Sequence, residues 1–307
     1  MFKHLLVPLD GSSLAEMALP AAAYLARLLP ARVTLLHLLE RHPPSEVHHD
    51  RHLTNATEAA AYLENIKQGA FSGDVAVECH VHTSEIDDVA RSIVDHIGEL
   101  APDLIVMCTH GHGGWRRRLF GSKAQQVIAL DKTPILLIPP VQQAAPTFQC
   151  AHILVPLDGN ADHEQGLRAA TNLARVCQAT QHLLFVIPML EQLKGEGAAT
   201  GRLQPHAMAA ILDMQHEEAA EYLGCHIVNL REANLTVTAE VVRGDAVTAI
   251  VAAVKRVQAD LIVMGTHGKI GMDAFWSGSL TPTIAARSPL PLLLVPIDQH
   301  AHGADSE

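Results

Sequence analysis

The chain contains itself twice. His4-Leu5-Leu6-Val7-Pro8-Leu9-Asp10-Gly11 returns 148 positions later as His152-Ile153-Leu154-Val155-Pro156-Leu157-Asp158-Gly159. Asp103-Leu104-Ile105-Val106-Met107-Cys108-Thr109-His110-Gly111 returns 157 positions later as Asp260-Leu261-Ile262-Val263-Met264-Gly265-Thr266-His267-Gly268. Pro134-Ile135-Leu136-Leu137-Ile138-Pro139 returns at that same offset as Pro291-Leu292-Leu293-Leu294-Val295-Pro296. Three matches in one order leave little room for chance, so the 307 residues divide into two copies of one unit, each of ordinary domain size. The expected boundaries are a first domain over 1–140, a linker over 141–150, a second domain over 151–298 and a tail over 299–307. Nine additional residues in the second copy are expected in the loop-like stretch from Gly195 to Gly201.

Within a copy, short apolar runs alternate with amphipathic stretches. Leu5–Pro8, Val33–Leu38, Val75–Val81, Leu104–Cys108 and Ile135–Ile138 are rich in Val, Ile and Leu, as strands covered on both faces should be. Residues 12–29, 54–67, 86–97 and 122–130 carry helical spacing, with Ser12 and Thr54 standing where N-caps are wanted. The expected fold class is therefore α/β: two tandem copies of a five-stranded parallel sheet with helices on both faces, Rossmann-like in kind. Such sheets bind ligands beyond the carboxyl ends of their strands, where strand order reverses. The Asp-Gly loop and the Thr-His-Gly loop both lie at strand ends of that sort.

Charge and composition narrow the function classes. The formal net charge is −11, which repels a phosphate backbone and argues against nucleic acid as a partner. Hydrophobic residues are 48% and charged ones 18%, a balance suited to large cores and not to disorder. The 5 cysteines are odd in number and form no C-x-x-C pair, so neither a disulfide scaffold nor a four-cysteine zinc site is expected. The most apolar stretch, Ala18 to Leu39, is cut by Pro20, Arg27, Pro30 and Arg32, so no membrane partner is expected. The first residues lack the apolar length and cleavage site of a secretory signal, and the expected location is cytoplasmic.

In the second copy the fourth strand runs into Gly265-Thr266-His267-Gly268, and nine residues later Gly278-Ser279 opens a helix. Glycines allow backbone to approach a ligand, and a helix N-terminus offers free N–H groups to an anion. The stretch is neither a Walker A loop nor a G-x-G-x-x-G turn. On physical grounds it reads either as a phosphate cradle or as an ordinary strand–helix connection.

With V-P-x-D-G at the end of the first strand, this G-x-x-G-x9-G-Ser/Thr pattern resembles the universal stress protein family, in both copies and over essentially the whole chain. The resemblance implies an adenine-nucleotide alpha-hydrolase type of fold and binding of ATP, ADP or AMP, with magnesium or manganese. It implies a stress-response regulator without strong catalytic activity; a slow ATP or AMP hydrolase and a degenerate scaffold for a protein partner are the alternatives. Carried onto this sequence, the phosphate loop is Gly265, Gly268, Gly278 and Ser279, and the nucleoside contact is Asp158. In the first copy Asp10, Gly111, Gly121 and Ser122 match, while Cys108 stands where the first glycine is expected. The resemblance further implies that the copies pair through Ile135–Ile138 and Leu292–Val295. Self-association is left open.

Other residues carry competing readings. Arg116-Arg117-Arg118 favours phosphate in the first copy, or is a solvated turn; Asp10 and Asp158 could cap a following helix instead of touching a nucleoside. His110 and His267 suit a structural role in their turns better than a catalytic one, and no catalytic residue is assigned. Among 20 histidines, His42, His48, His49 and His52 cluster near His37. His48 and His52 would share a face if helical, a spacing that suits zinc, but Pro43-Pro44 favours a polar loop and no metal ligand is assigned.

Overall fold

The structure, a computed structural model, describes residues 1–48, 50–109, 122–140, 147–192, 203–266 and 280–297. The chain divides into two compact units, one of Met1–Gln149 with Gly268–Pro296, the other of Cys150–His267 with Ile297–Glu307.

In the first unit the strands are β1 (His4–Pro8), β2 (Arg32–Glu40), β5 (Val77–Ile86), β6 (Leu104–Cys108) and β7 (Ile135–Ile138), with a small hairpin, β3 (Glu46–Val47) and β4 (Asp50–Arg51), after β2. The main strands lie in the order β7-β6-β1-β2-β5, all parallel. Leu5, Leu6, Val33, Leu35, Leu104 and Val106 have no exposed surface. Burying such a side chain stabilises by roughly 1.5–3 kcal/mol, which is why the apolar runs become central strands. Helices α1 (Leu19–Leu28), α2 (Ala56–Ala70), α3 (Val89–Leu100) and α4 (Ser122–Leu130) connect them.

The sixth strand of this unit comes from the second copy. Strand β12 (Leu292–Pro296) pairs antiparallel with β7, Leu292 opposite Leu137 and Leu294 opposite Ile135. The expected pairing of the two last strands is thus present, and the first compact unit includes Gly268–Pro296 of the second copy, so the units do not coincide with the repeats. Leu136, Leu137 and Leu292–Leu294 are each 1% exposed, so this strand pair is core.

The second unit holds β8 (His152–Leu157), β9 (Thr180–Ile187), β10 (Val237–Arg243) and β11 (Leu261–Thr266) in the parallel order β11-β8-β9-β10. Its helices are α5 (Glu164–Cys177), α6 (Pro205–Glu232) and α7 (Ala246–Arg256); α8 (Thr281–Arg287) leads into β12. Helix α6 has 28 residues against 15 in α2, so the second copy is longer in helix; the Gly195–Gly201 stretch expected to hold the added length lies outside the described residues. The composition explains this, because 207–222 is dense in Ala, Leu, Met, Gln and Glu, all good helix formers.

Two helix starts differ from expectation. Asn55, not Thr54, caps α2: its side chain accepts the Glu58 N–H at 2.9 Å. Ser12 Oγ accepts the Ala15 N–H at 3.1 Å without standing at a helix cap: a 3-10 turn over Ala15–Ala18, with Leu14 at its cap position, follows, and α1 begins only at Leu19 and Pro20. Proline tolerates a first helical turn because its missing N–H has no partner there. No helix among the described residues is long and apolar enough to cross a membrane.

Candidate functional site

Strand order sets the place. From β1 the first copy runs outward to β2 and β5, then crosses back to β6 on the other side of β1. The carboxyl ends of β1 and β6 therefore flank the point of reversal, and β8 and β11 do so in the second unit. Asp10 and Asp158 follow β1 and β8; Thr109 follows β6, and Gly265-Thr266 closes β11. Gly111, Gly121, Gly268, Gly278 and Ser279, with His110, His267 and Arg116–Arg118, lie outside the described residues. Ser122 is the exposed first residue of α4.

In the first copy the Asp10 carboxylate is engaged from two sides. The Ser12 N–H and Oγ–H donate to its Oδ1 at 3.0 and 2.6 Å, an Asx-type turn. His48, at the tip of the β3–β4 hairpin with φ of +52°, brings Nε2 to 3.8 Å from its Oδ2. The same hairpin delivers Asp50, whose Oδ2 accepts the Ser13 N–H at 2.7 Å and the Ser13 Oγ–H at 2.9 Å. Leu53 closes on the turn: a side chain at Gly11, where φ is +89°, would stand 2.9 Å from Leu53 Cγ. Glycine is required there both by the dihedral and by the contact.

The electrostatics follow from that crowding. Burial pushes the Glu16 carboxyl up, and the charges of Asp50 and Asp10 push it the same way. Burial, with Asp10 adding, raises the Cys108 thiol to about 12, so that sulfur is an inert core group. His37 donates from Nδ1 to the Leu9 carbonyl at 2.8 Å, and burial holds its pKa below the ordinary imidazole value. The hairpin also answers the zinc reading. His48 faces Asp10, whereas His52 is buried with Nε2 3.5 Å from Glu40, so the pair is not on one helical face.

In the second copy Asp158 accepts the Asn160 N–H at 3.1 Å and the His163 Nδ1–H at 2.5 Å. Its side chain is 57% exposed, against 30% for Asp10. Neither aspartate caps a long helix; each holds the turn immediately after its strand. Phe185 lies 3.4 Å from where a side chain at Gly159 would stand, and its ring meets Tyr222 of α6 edge-on at 6.1 Å. Tyr222 donates to Glu164 at 3.0 Å.

Gly265 has a packing reason of its own. A Cβ there would lie 2.6 Å from the His163 carbonyl oxygen, and one at Gly166 would lie 2.5 Å from the Gly265 nitrogen. The start of α5 rests directly on the end of β11. In the first copy the matching positions are Ala15, Ala18 and Cys108, all buried, so a thiol packs where the second copy has a glycine. Cys108 therefore marks a different helix–strand approach. Sequence reading gives Asp50 as an added ligand to the histidine cluster and Ser13 as part of a helix cap, whereas the two bond each other at this turn; it misses Tyr222, since nothing in the order of residues signals that α6 reaches the turn.

Comparison with known proteins agrees with this arrangement. The model of the universal stress protein family matches residues 1–139 and again 150–296. The chain belongs to that family. Among curated members, universal stress protein Rv2623 of Mycobacterium tuberculosis is 24% identical over 304 residues, spanning 93% of this chain and 94% of its own. Universal stress protein Sll1654 of Synechocystis sp. is 33% identical over 141 residues, 45% of this chain and 87% of its own. The solved universal stress protein of Archaeoglobus fulgidus superposes with a TM-score of 0.69 at 16% identity, covering 96% of this chain and 97% of that one. This universal stress protein is therefore a tandem member, with the family's α/β fold.

Proposed function

We propose that the chain binds an adenine nucleotide at the second copy's point of strand reversal and serves as a stress-response regulator. The observation that carries this reading is the contrast between Asp158 and Asp10. Asp158 also accepts from Asn160 and His163 of its own turn, but it stands more than half exposed at the end of β8, beside a strand-end glycine, where a nucleoside can reach it. Asp10 is held by Ser12 and His48, under a hairpin that adds Asp50. Three carboxylates close together, Asp10, Glu16 and Asp50, also oppose a triphosphate. The first copy then acts mainly as a scaffold.

The residues fit a nucleotide in kind. Asp158 would accept hydrogen bonds from a ribose, and the loop from Gly265 toward Ser279 would supply backbone N–H groups to phosphate, with magnesium or manganese neutralising the phosphate chain. Mass analysis of small molecules released on denaturing the purified protein is expected to find ATP, ADP or AMP. Turnover of labelled ATP separates a binder from a slow hydrolase. Sustained release of labelled phosphate by wild type, lost in Asp158→Ala, would overturn the reading as a binder.

A further inference from the structure

On the edge strand of the first unit's sheet, away from the strand ends, three imidazoles converge. His80 and His82 are two residues apart on β5, so the alternation of a strand puts both on one face. Helix α3 brings His96 against them, with ring centroids 5.0 Å from His80 and 4.9 Å from His82. One ring nitrogen from each residue lies within 4.8 Å of the other two. We propose that His80, His82 and His96 bind a late first-row transition-metal ion, zinc before others, with the fourth position open to water or to Glu99.

His96 carries the argument furthest. It is 2% exposed, and its Nδ1–H donates to the Ser92 carbonyl at 2.7 Å, which fixes the tautomer and leaves a lone pair on Nε2. That Nε2 is buried and has no hydrogen-bond partner. A buried polar atom left unsatisfied is costly; other buried imidazole nitrogens of this chain also lack a partner, and what packing alone does not account for at His96 is the convergence of two further rings on it. A metal ion does, because a ligating imidazole characteristically donates its other N–H to a carbonyl or carboxylate.

The neighbouring groups suit the same ligand. Glu99 acts on His80 through its charge and sits three residues after His96, on the same face of α3. Zinc–nitrogen bonds of about 2.0–2.1 Å put tetrahedral ligands roughly 3.3–3.4 Å apart, so modest side-chain rotation closes the set. An all-imidazole donor set selects zinc, cobalt, nickel or copper over magnesium and calcium, which prefer oxygen. The site is separate from the nucleotide reading and stands without it. A bound ion would tie the edge strand to α3.

The test uses the full chain without added histidine tags, stripped with chelator and titrated with zinc against a chromophoric competitor, then with cobalt. The expected result is one tight equivalent of zinc, a tetrahedral cobalt spectrum and a raised Tm. His82→Asn, at a half-buried position, should weaken binding by more than the roughly 10- to 100-fold typical of losing an outer partner, while the metal-free variant keeps the wild-type circular dichroism. His48→Ala with His52→Ala should leave the equivalent in place. Absence of tight zinc, an octahedral cobalt spectrum, or unchanged affinity in His82→Asn would each overturn the assignment.

Discussion

At the scale of single residues, glycine does opposite things in different places. Gly265 and Gly166 exist so that α5 can lie on β11, and the contacts awaiting a new Cβ are backbone atoms that cannot swing aside. Gly265→Ala should therefore destabilise by about 1–3 kcal/mol, as overpacking of a tight core does. Gly98, within α3, has nothing within 4 Å of its would-be Cβ, so Gly98→Ala should stabilise by about 0.5–1 kcal/mol through helix propensity. Urea denaturation of the two variants reads both signs. Equal destabilisation by both would contradict the close helix–strand approach. Sequence alone reaches only part of the way to this. Gly265 was conspicuous because the first copy has Cys108 there, but its packing role depends on His163, about a hundred positions away, which no local pattern reveals.

At the scale of elements, the strands were legible and their fastening was not. Continuous Val, Ile and Leu runs identified the central strands because both faces are covered. The residue that pins them, Asp103 in one copy and Asp260 in the other, looked only like part of a repeated motif. Asp103 accepts the Lys3 and His4 N–H groups at 2.8 and 3.0 Å, and Asp260 accepts those of Ala151 and His152 at 2.8 and 3.1 Å. Each carboxylate ties the start of the central strand to the start of its neighbour. Asp103→Ala and Asp260→Ala should each lower stability by about 1–3 kcal/mol, with Asp→Asn recovering part of the loss. Thermal melts of both pairs check this, and a change within about 0.5 kcal/mol would assign the motif to something other than fastening. The β3–β4 hairpin was the least legible element. Pro43-Pro44 argued for a loop, and only the folded chain brings Asp50 and His48 onto the turn after β1.

At the scale of the whole molecule, pH is the informative variable. Burial holds His4 below the ordinary imidazole value, with Arg32 adding and Asp103 and Glu78 opposing. Burial likewise lowers His37, with His52 adding, and His182, with His152 adding. Each binds its proton more readily unfolded than folded, so the unfolded chain takes up more protons as pH falls through the ordinary imidazole value near 6.5. The stability these neutral rings contribute is present above that pH and lost below it. Metal-free protein should have a lower Tm at pH 5.5 than at pH 7.5, and replacing His4 by Gln should flatten the slope. A Tm that rises on acidification would mean that partly buried acids such as Glu16, pushed the other way, dominate instead.

The central claim is that the second copy binds an adenine nucleotide and the first contributes little. Isothermal calorimetry of ATP with magnesium into wild type, Asp158→Ala and Asp10→Ala tests it most directly. One principal site is expected. Loss of a hydrogen bond made by a charged group is worth about 1.5–3 kcal/mol, so Asp158→Ala should weaken that site roughly 10- to 150-fold while Asp10→Ala leaves it near wild type. No heat at millimolar ATP, or a loss confined to Asp10→Ala, would contradict the claim.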